Sequence, residues 1–444
     1  MDHRISPSAD GRSLAINNAP KPWKSLPLHH KYNLPHKPEG VRSVNVSSDD
    51  KYLIITNESR AGKIRVVDME KLAFLSPDYA GHTASARLTS INKSNTAFYT
   101  GSWDGTARRF EIVTGNCTEI LYGFGRCPTV FIDANESYLF TGSYDTDLDF
   151  ESGNTGRCWD LASRKAVNFY PHNKERQEIE CMDIAYDQEY VYTGSDDGCS
   201  YLWPMEGGAP LFKYFECNGS VRKVAVSSKY FAAACTDGVV RLYKKLSAEP
   251  VFSFQHAEKD IREVRISLDE KKLYTGGADG SISCFNIPSG ELIYHRQVHT
   301  NWIWSMCLMH GDRVLVTGSR DGTIGFLSTE TGEILAQLYN LPDKADFLIT
   351  CPPDRDRGFP MGLFFTTNTD LVQVLACNEE KGTQEILNTD DIRRETYLNK
   401  LNLKNLVITR LKNNGRFQSF TEKYYRNRMM LNKVGHPALP LILK

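Results

Sequence analysis

The sequence predicts an all-β protein made of an array of similar strand units, and three observations predict it. A short β-run ending in Thr or Ala, followed by a Gly/Asp turn, recurs eight times along the chain. Helical periodicity is absent from the same stretch. A bulky apolar residue returns at a constant offset after the turn aspartate.

The anchors of the recurring run are Thr56, Thr100, Thr141, Thr193, Ala234, Thr275, Thr317 and Thr366, in steps of 44, 41, 52, 41, 41, 42 and 49 residues. A period near 41 is too long for ankyrin or leucine-rich repeats. The first copy, at Tyr52–Thr56, and the eighth, at Phe364-Phe365-Thr366, are degenerate. The clearest copies read Thr100-Gly101-Ser102-Trp103-Asp104-Gly105 and Thr317-Gly318-Ser319-Arg320-Asp321-Gly322.

Each copy reads as strand, turn, strand. Alternating apolar runs about five residues long are bounded by Asp-Gly, which permits the positive φ of a tight hairpin. Phe110, Trp203, Tyr243, Phe285 and Leu327 follow their turn aspartates by a fixed interval, so the second strand of each unit aims an anchor between neighbouring sheets. A more exposed strand follows, as at Val251–Phe254 and Ile334–Tyr339.

At these residues the chain resembles the WD-repeat (WD40) family of β-propellers, over about residues 41–388. The resemblance is carried by Gly81-His82, by His256 and His299 ahead of the inner strand, by the Asp-Gly turns, and by Trp159-Asp160 with Trp203 at the family's tryptophan position. It implies a WD40-like propeller. Eight units favour eight blades, and seven blades plus an irregular extension is the alternative. Residues 1–40 form an N-terminal arm in which Trp23–His29 is a candidate ring-closing strand, and residues 389–444 a basic α-helical extension. Closure into a ring leaves short edges and puts the connections on two faces.

The composition, 41% apolar and 24% charged, is that of a soluble globular chain, and no apolar run reaches the roughly 20 residues of a bilayer span. With a polar start and no secretory apolar segment, the expected location is cytoplasmic or nuclear, without a membrane. Eleven cysteines, none at C-x-x-C spacing, read as reduced and mostly buried. The formal charge of −1 conceals a split: residues 1–40 carry six Lys/Arg and three Asp/Glu, residues 391–444 carry twelve and three, and the body carries 35 and 48.

No nucleophile-elbow, P-loop, dinucleotide or zincin motif is present, and the chain reads as non-enzymatic, with no cofactor or metal. The recurring His and Asp (His82 with Asp104, His256 with Asp279, His299 with Asp321) are read, through the resemblance, as hydrogen-bonded sets that stiffen each blade. The acidic insertion Asp145–Asn154 leaves open a solvated loop, a contact for a basic partner and an oxygen-ligand Ca²⁺ loop. His29, His30 and His36 lack the spacing of a metal site.

A comparison across copies points to a binding surface. The second place of the inner strand holds Arg42, Arg87, Pro128, Glu180, Arg222, Arg262, Trp304 and Phe347. The resemblance puts this place near the mouth of the central channel, where family members bind peptides. The residue before the turn aspartate borders the same face, with Trp103, Tyr144 and Arg320 among its members. Arg42, Arg87, Trp103, Tyr144, Glu180, Arg222, Arg262, Trp302, Trp304 and Arg320 are therefore the candidate partner-binding residues. Guanidinium forks suit phosphate or carboxylate, and the aromatic rings add contact area. The competing reading is that each arginine completes a surface network with a neighbouring carboxylate such as Asp260 or Glu263.

Beyond residue 388 the β-period stops, and two amphipathic stretches carry Arg410, Lys412, Arg416, Lys423, Arg426 and Arg428. Docking on the acidic body, nucleic-acid binding and binding to another protein remain open for this segment. The expectation is a protein-interaction scaffold, within a multi-subunit complex, that takes an anionic or phosphorylated partner on the arginine face. A nucleic-acid-associated subunit is the alternative.

Overall fold

The computed structural model describes residues 37–386 apart from 60–61, 76–78, 123–124, 146–152, 173–181, 256–259, 343–345, 353–362, 368–371 and 379–382, together with 6–7, 14–15, 28–32 and 34. Two compact units share the chain: Glu39–Glu333, and Met1–Pro38 with Ile334–Lys444.

The first unit is a seven-bladed β-propeller. Six antiparallel four-stranded sheets span residues 41–74, 86–122, 126–171, 182–216, 221–255 and 261–297, and are here called blades 1 to 6. Blade 7 begins with Ile303–Met309, Val314–Ser319 and Thr323–Ser328. The inner strand of each blade packs on the next around the circuit, and Ile303–Met309 packs directly on Val41–Val46. Those inner strands line a central channel of about 400 Å³, to which every blade contributes.

Burial follows strand position. The second strand of blade 1, Tyr52–Asn57, is buried at every residue, because neighbouring blades cover both its faces. The outer strand of blade 6, Leu292–Gln297, buries only Tyr294. The sequence-predicted anchors Phe110, Trp203, Tyr243, Phe285 and Leu327 are all buried. Phe110 packs with Ile54 and Val66 of blade 1 as well as Phe98 of its own blade, so the anchor joins two sheets. Burying such a side chain contributes roughly 2–3 kcal/mol.

The Thr-Gly-Ser signature acquires a packing reason. A Cβ on Gly318 would stand 2.7 Å from Val41 Cγ1, so the glycine lets the inner strand of blade 1 approach blade 7. The Asp-Gly turns hold glycine at positive φ, as at Gly280 with φ +84°, where a side chain would also strike the His299 carbonyl.

Two expectations are corrected. Seven blades close the ring rather than eight. Blade 7 meets blade 1 through Ser305, whose hydroxyl lies 3.2 Å from both Val44 N and Val44 O, and through His310, whose Nδ1 lies 2.8 Å from Asp50 Oδ2. No place for an eighth sheet remains between them. The eighth copy instead forms strands Leu348–Cys351 and Leu363–Thr366 of the second unit, antiparallel to each other, with Leu348–Cys351 antiparallel to Ile334–Tyr339. Of the candidate strand Trp23–His29 only Leu28 and His29 lie among the described residues; they belong to Leu28–Tyr32, which pairs with Val372–Asn378, which pairs in turn with Thr383–Ile386.

No helix occurs among the described residues, and no described helix is long and apolar enough to cross a membrane. The proposed helices of residues 389–444 lie outside the described residues, as does the acidic insertion between Asp145 and Gly153.

Candidate functional site

The inner strands begin with an irregularity that sets the direction of the candidate side chains. The ladder skips a residue between Val41 and Ser43, between Val221 and Lys223, between Ile261 and Glu263, and between Ile303 and Ser305. The skipped residues are Arg42, Arg222, Arg262 and Trp304. A bulge of this kind leaves its extra residue without a cross-strand partner and re-aims its side chain. In blade 2 the skip runs from Ala86 to Thr89 and contains Arg87.

The side chains so aimed form a ladder of guanidinium and indole planes across three blades. Arg262 of blade 6 stacks on Trp302 at 3.9 Å. Trp302 and Trp304 meet edge-on, with centroids 6.1 Å apart. Arg320 lies 4.7 Å from the first ring and 5.6 Å from the second. Arg42 of blade 1 covers the Trp304 face at 3.4 Å. A second group lies on blades 2 and 3, where Arg87 at 3.6 Å and Arg126 at 4.9 Å share Trp103. Each such contact contributes roughly 0.5–2 kcal/mol, more where water is excluded.

Carboxylates complete the network. One oxygen of Glu58 lies 3.6 Å from Arg42 and 3.5 Å from Arg320. Arg222 pairs with Asp196 at 3.1 Å, and Arg262 pairs with Asp260. Glu263, the other carboxylate considered from the sequence, pairs with Arg265 instead. The indole Nε1 of Trp304 is a buried donor with no acceptor among the described residues.

The structure thus brings Arg42, Arg262, Trp302, Trp304 and Arg320 into one cluster and Arg87 with Trp103 into another, while Arg222 meets Asp196. Tyr144 is placed at the end of its strand, paired in the ladder with Arg126. Glu180 and the basic residues Arg410, Lys412, Arg416, Lys423, Arg426 and Arg428 lie outside the described residues. Phe347, the eighth member of the series, is buried in the second unit, 6.0 Å from Phe365.

Two rim residues escaped the sequence comparison. Arg126 precedes its bulge. Glu58 occupies in blade 1 the place of Arg320 in blade 7, because Val41 pairs with Asn57 as Ile303 pairs with Ser319. The first copy has no Asp-Gly turn to show this, and anchoring it on Thr56 displaced the count by one residue.

The recurring His and Asp hydrogen-bond within their blades at His82 and His299, while His256, read as the partner of Asp279, lies outside the described residues. In blade 4, His172 Nδ1 lies 3.0 Å from Asp197, His172 Nε2 lies 2.7 Å from Thr193 Oγ1, and Trp203 Nε1 donates to the same oxygen at 2.8 Å. His299 bridges Asp321 at 3.3 Å and Thr317 at 2.8 Å, and His82 meets Asp104 at 2.8 Å. Burial opposes ionisation of Asp104 and Asp321, yet hydrogen bonds from the histidines hold both carboxyls far below the usual carboxylate range. His172 was hidden in the sequence by the insertion at 173–181, which separates it from its strand. Blade 5 replaces the set: Ala233 stands in the threonine position, one residue before the sequence anchor Ala234, and Arg241 pairs with Asp237 at 2.6 Å. Among the described residues no group of His, Cys, Asp and Glu is arranged to hold a metal ion.

The family model "WD domain, G-beta repeat" matches the chain four times, at residues 75–111, 164–204, 248–286 and 290–326. Relatives include a WD repeat-containing protein 91 homolog of Dictyostelium discoideum, 21% identical over 47% of this chain and 27% of that protein. An uncharacterized WD repeat-containing protein of Schizosaccharomyces pombe is 24% identical over 36% of this chain and 42% of its own length. A guanine nucleotide-binding protein subunit beta of Nicotiana tabacum is 26% identical over 38% of this chain and 44% of its own. The chain therefore spans less than half of each of these relatives.

Proposed function

From the premise that this chain is a WD-repeat protein of the β-propeller family, a family whose members generally act as protein-interaction scaffolds, we propose that it binds an anionic segment of a partner protein on the arginine-rich rim. The observation that carries the reading is the ladder Arg262, Trp302, Arg320, Trp304, Arg42, assembled from blades 6, 7 and 1. Indole faces hold the guanidinium planes and fix their donors in place, so little side-chain entropy is lost when a carboxylate or phosphate binds. Guanidinium forks held this way suit the oxygens of an anion.

The repeated histidine sets are poor candidates for catalysis. They recur in three blades, and each is closed within its own blade. Chemistry at a single centre would need groups that converge on one place.

The test is capture from lysate by the full chain, comparing wild type with Arg222→Glu plus Arg262→Glu. The reading expects partners to be lost on charge reversal in a variant that still unfolds in one cooperative transition, at a lower midpoint because Asp196 and Asp260 lose their cations. Undiminished capture by the reversed rim contradicts it.

A further inference from the structure

We propose that Cys217 and Cys235 form an oxidisable dithiol in blade 5, at which a hydroperoxide is reduced and a disulfide closes, with Cys217 attacking and Cys235 resolving. The disulfide puts a covalent clasp where blades 2, 4 and 7 carry a histidine set.

Position brings the two thiols together. Cys217 stands as far ahead of the inner strand Val221–Val226 as His299 stands ahead of Ile303–Met309 and His82 ahead of Ala86–Ile91. Its amide donates to the carbonyl of Gly198, the turn glycine of blade 4, at 2.9 Å, just as His299 N donates to that of Gly280, the turn glycine of blade 6, at 3.1 Å. Cys235 pairs with Val221 as Ser319 pairs with Ile303. In blade 7 the Ser319 hydroxyl donates to Asn301 O, and in blade 2 Ser102 donates to Ala84 O, both at 3.1 Å. The matching carbonyl of blade 5 is that of Gly219, and there Cys217 Sγ is the donor at 3.3 Å. One cysteine thus holds the histidine place and another the serine place of a single blade. The two free thiols hydrogen-bond to each other, within one buried cluster that includes Tyr214 and Tyr243.

The surroundings assign the roles. The hydrogen bond from Cys235 pulls the Cys217 thiol below its ordinary value against the cost of burial, with Arg241 assisting and Asp237 opposing. The same bond, with burial, pushes the Cys235 thiol well up. Cys217 is therefore the thiol that ionises, and the thiolate is the nucleophile. Cys235 is fully buried, whereas Cys217 lies between the exposed residues Glu216 and Asn218.

The chemistry balances with a hydroperoxide as oxidant. Cys217 Sγ attacks one peroxide oxygen, an S–O bond forms as the O–O bond breaks, and water or an alcohol leaves with the thiol proton. Cys235 Sγ then attacks the sulfenic sulfur. The S–S bond forms, the S–O bond breaks, and the departing hydroxide takes the Cys235 proton as water. Two thiols are oxidised and one peroxide is reduced.

The test treats the native full chain with hydrogen peroxide, alkylates the remaining thiols and maps tryptic peptides by mass. Peroxide is raised until the exposed Cys117 is consumed, which certifies the oxidant. The proposal expects Tyr214–Arg222 joined to Tyr230–Arg241 with the loss of two hydrogens, and separated again by a reductant. Two variants read the roles. In Cys235→Ser the sulfenic acid at Cys217 should persist and be trapped by dimedone, and in Cys217→Ser the labelling at Cys235 should be at least roughly tenfold lower. Consumption of Cys117 with the two wild-type peptides still unlinked overturns the site. Equal dimedone labelling in the two variants overturns the division of roles.

Discussion

The guanidinium of Arg42 lies over the ring of Trp304 at 3.4 Å, joining the inner strand of the first blade to that of the last. The contact belongs to two things at once. It is part of the seam that closes the propeller, and it is one rung of the ladder offered to a partner. Stability of the ring and readiness of the rim are therefore coupled at this point.

Ser305 is the polar clasp of the same seam. Its hydroxyl lies within hydrogen-bond distance of both the amide and the carbonyl of Val44. Ser305→Ala leaves those buried groups without it and should lower stability by about 1–3 kcal/mol. Urea denaturation of the two proteins checks this, and coincident midpoints would refute the clasp.

Gly318 admits Val41 at the seam. Gly318→Ala places a methyl group 2.7 Å from Val41 Cγ1 in a packed interior. Overpacking should cost about 1–3 kcal/mol, and Val41→Ala in the same chain should recover part of the loss. Thermal unfolding of the single and double variants measures it.

Asp321 links stability to acid. Its carboxyl is held below the ordinary range by His299 and Thr323 against the cost of burial. In the unfolded chain it protonates near the ordinary aspartate value of 3.8, so in acid the unfolded state binds the proton first. The stabilisation is full above that value and fades as pH falls through the folded value. Asp321→Asn should therefore be less stable than wild type at pH 7, with the gap narrowing by pH 3. Urea midpoints at both pH values check this, and an equal gap at the two would contradict it.

Much of the fold could be read from the sequence because the propeller repeats its physics. The Asp-Gly turns and the anchors at Phe110, Trp203, Tyr243, Phe285 and Leu327 are local devices, and each copy corrects errors in the others. Blade number was harder to read. The Phe364-Phe365-Thr366 run has the local pattern of a blade strand, yet contacts between distant residues, Ser305 with Val44 and His310 with Asp50, decide that the ring closes without it. The rim was legible as a column of arginines. The indoles beneath them explain their placement, and Trp302 and Trp304 were recognised as neighbours of that column. Glu58 was not legible, because its position is defined by the pairing of Val41 with Asn57 rather than by any motif. His172 was missed for a similar reason, an insertion that breaks a spacing other blades keep.

The seam between blades 7 and 1 is tested most directly by a double-mutant cycle on Arg42→Met and Trp304→Leu, with unfolding free energy as the readout. Residues from opposite ends of the propeller that stack on one another should show a coupling of about 0.5–2 kcal/mol. Strict additivity of the two substitutions would mean that these side chains do not meet, and a ring closed at seven blades would be contradicted.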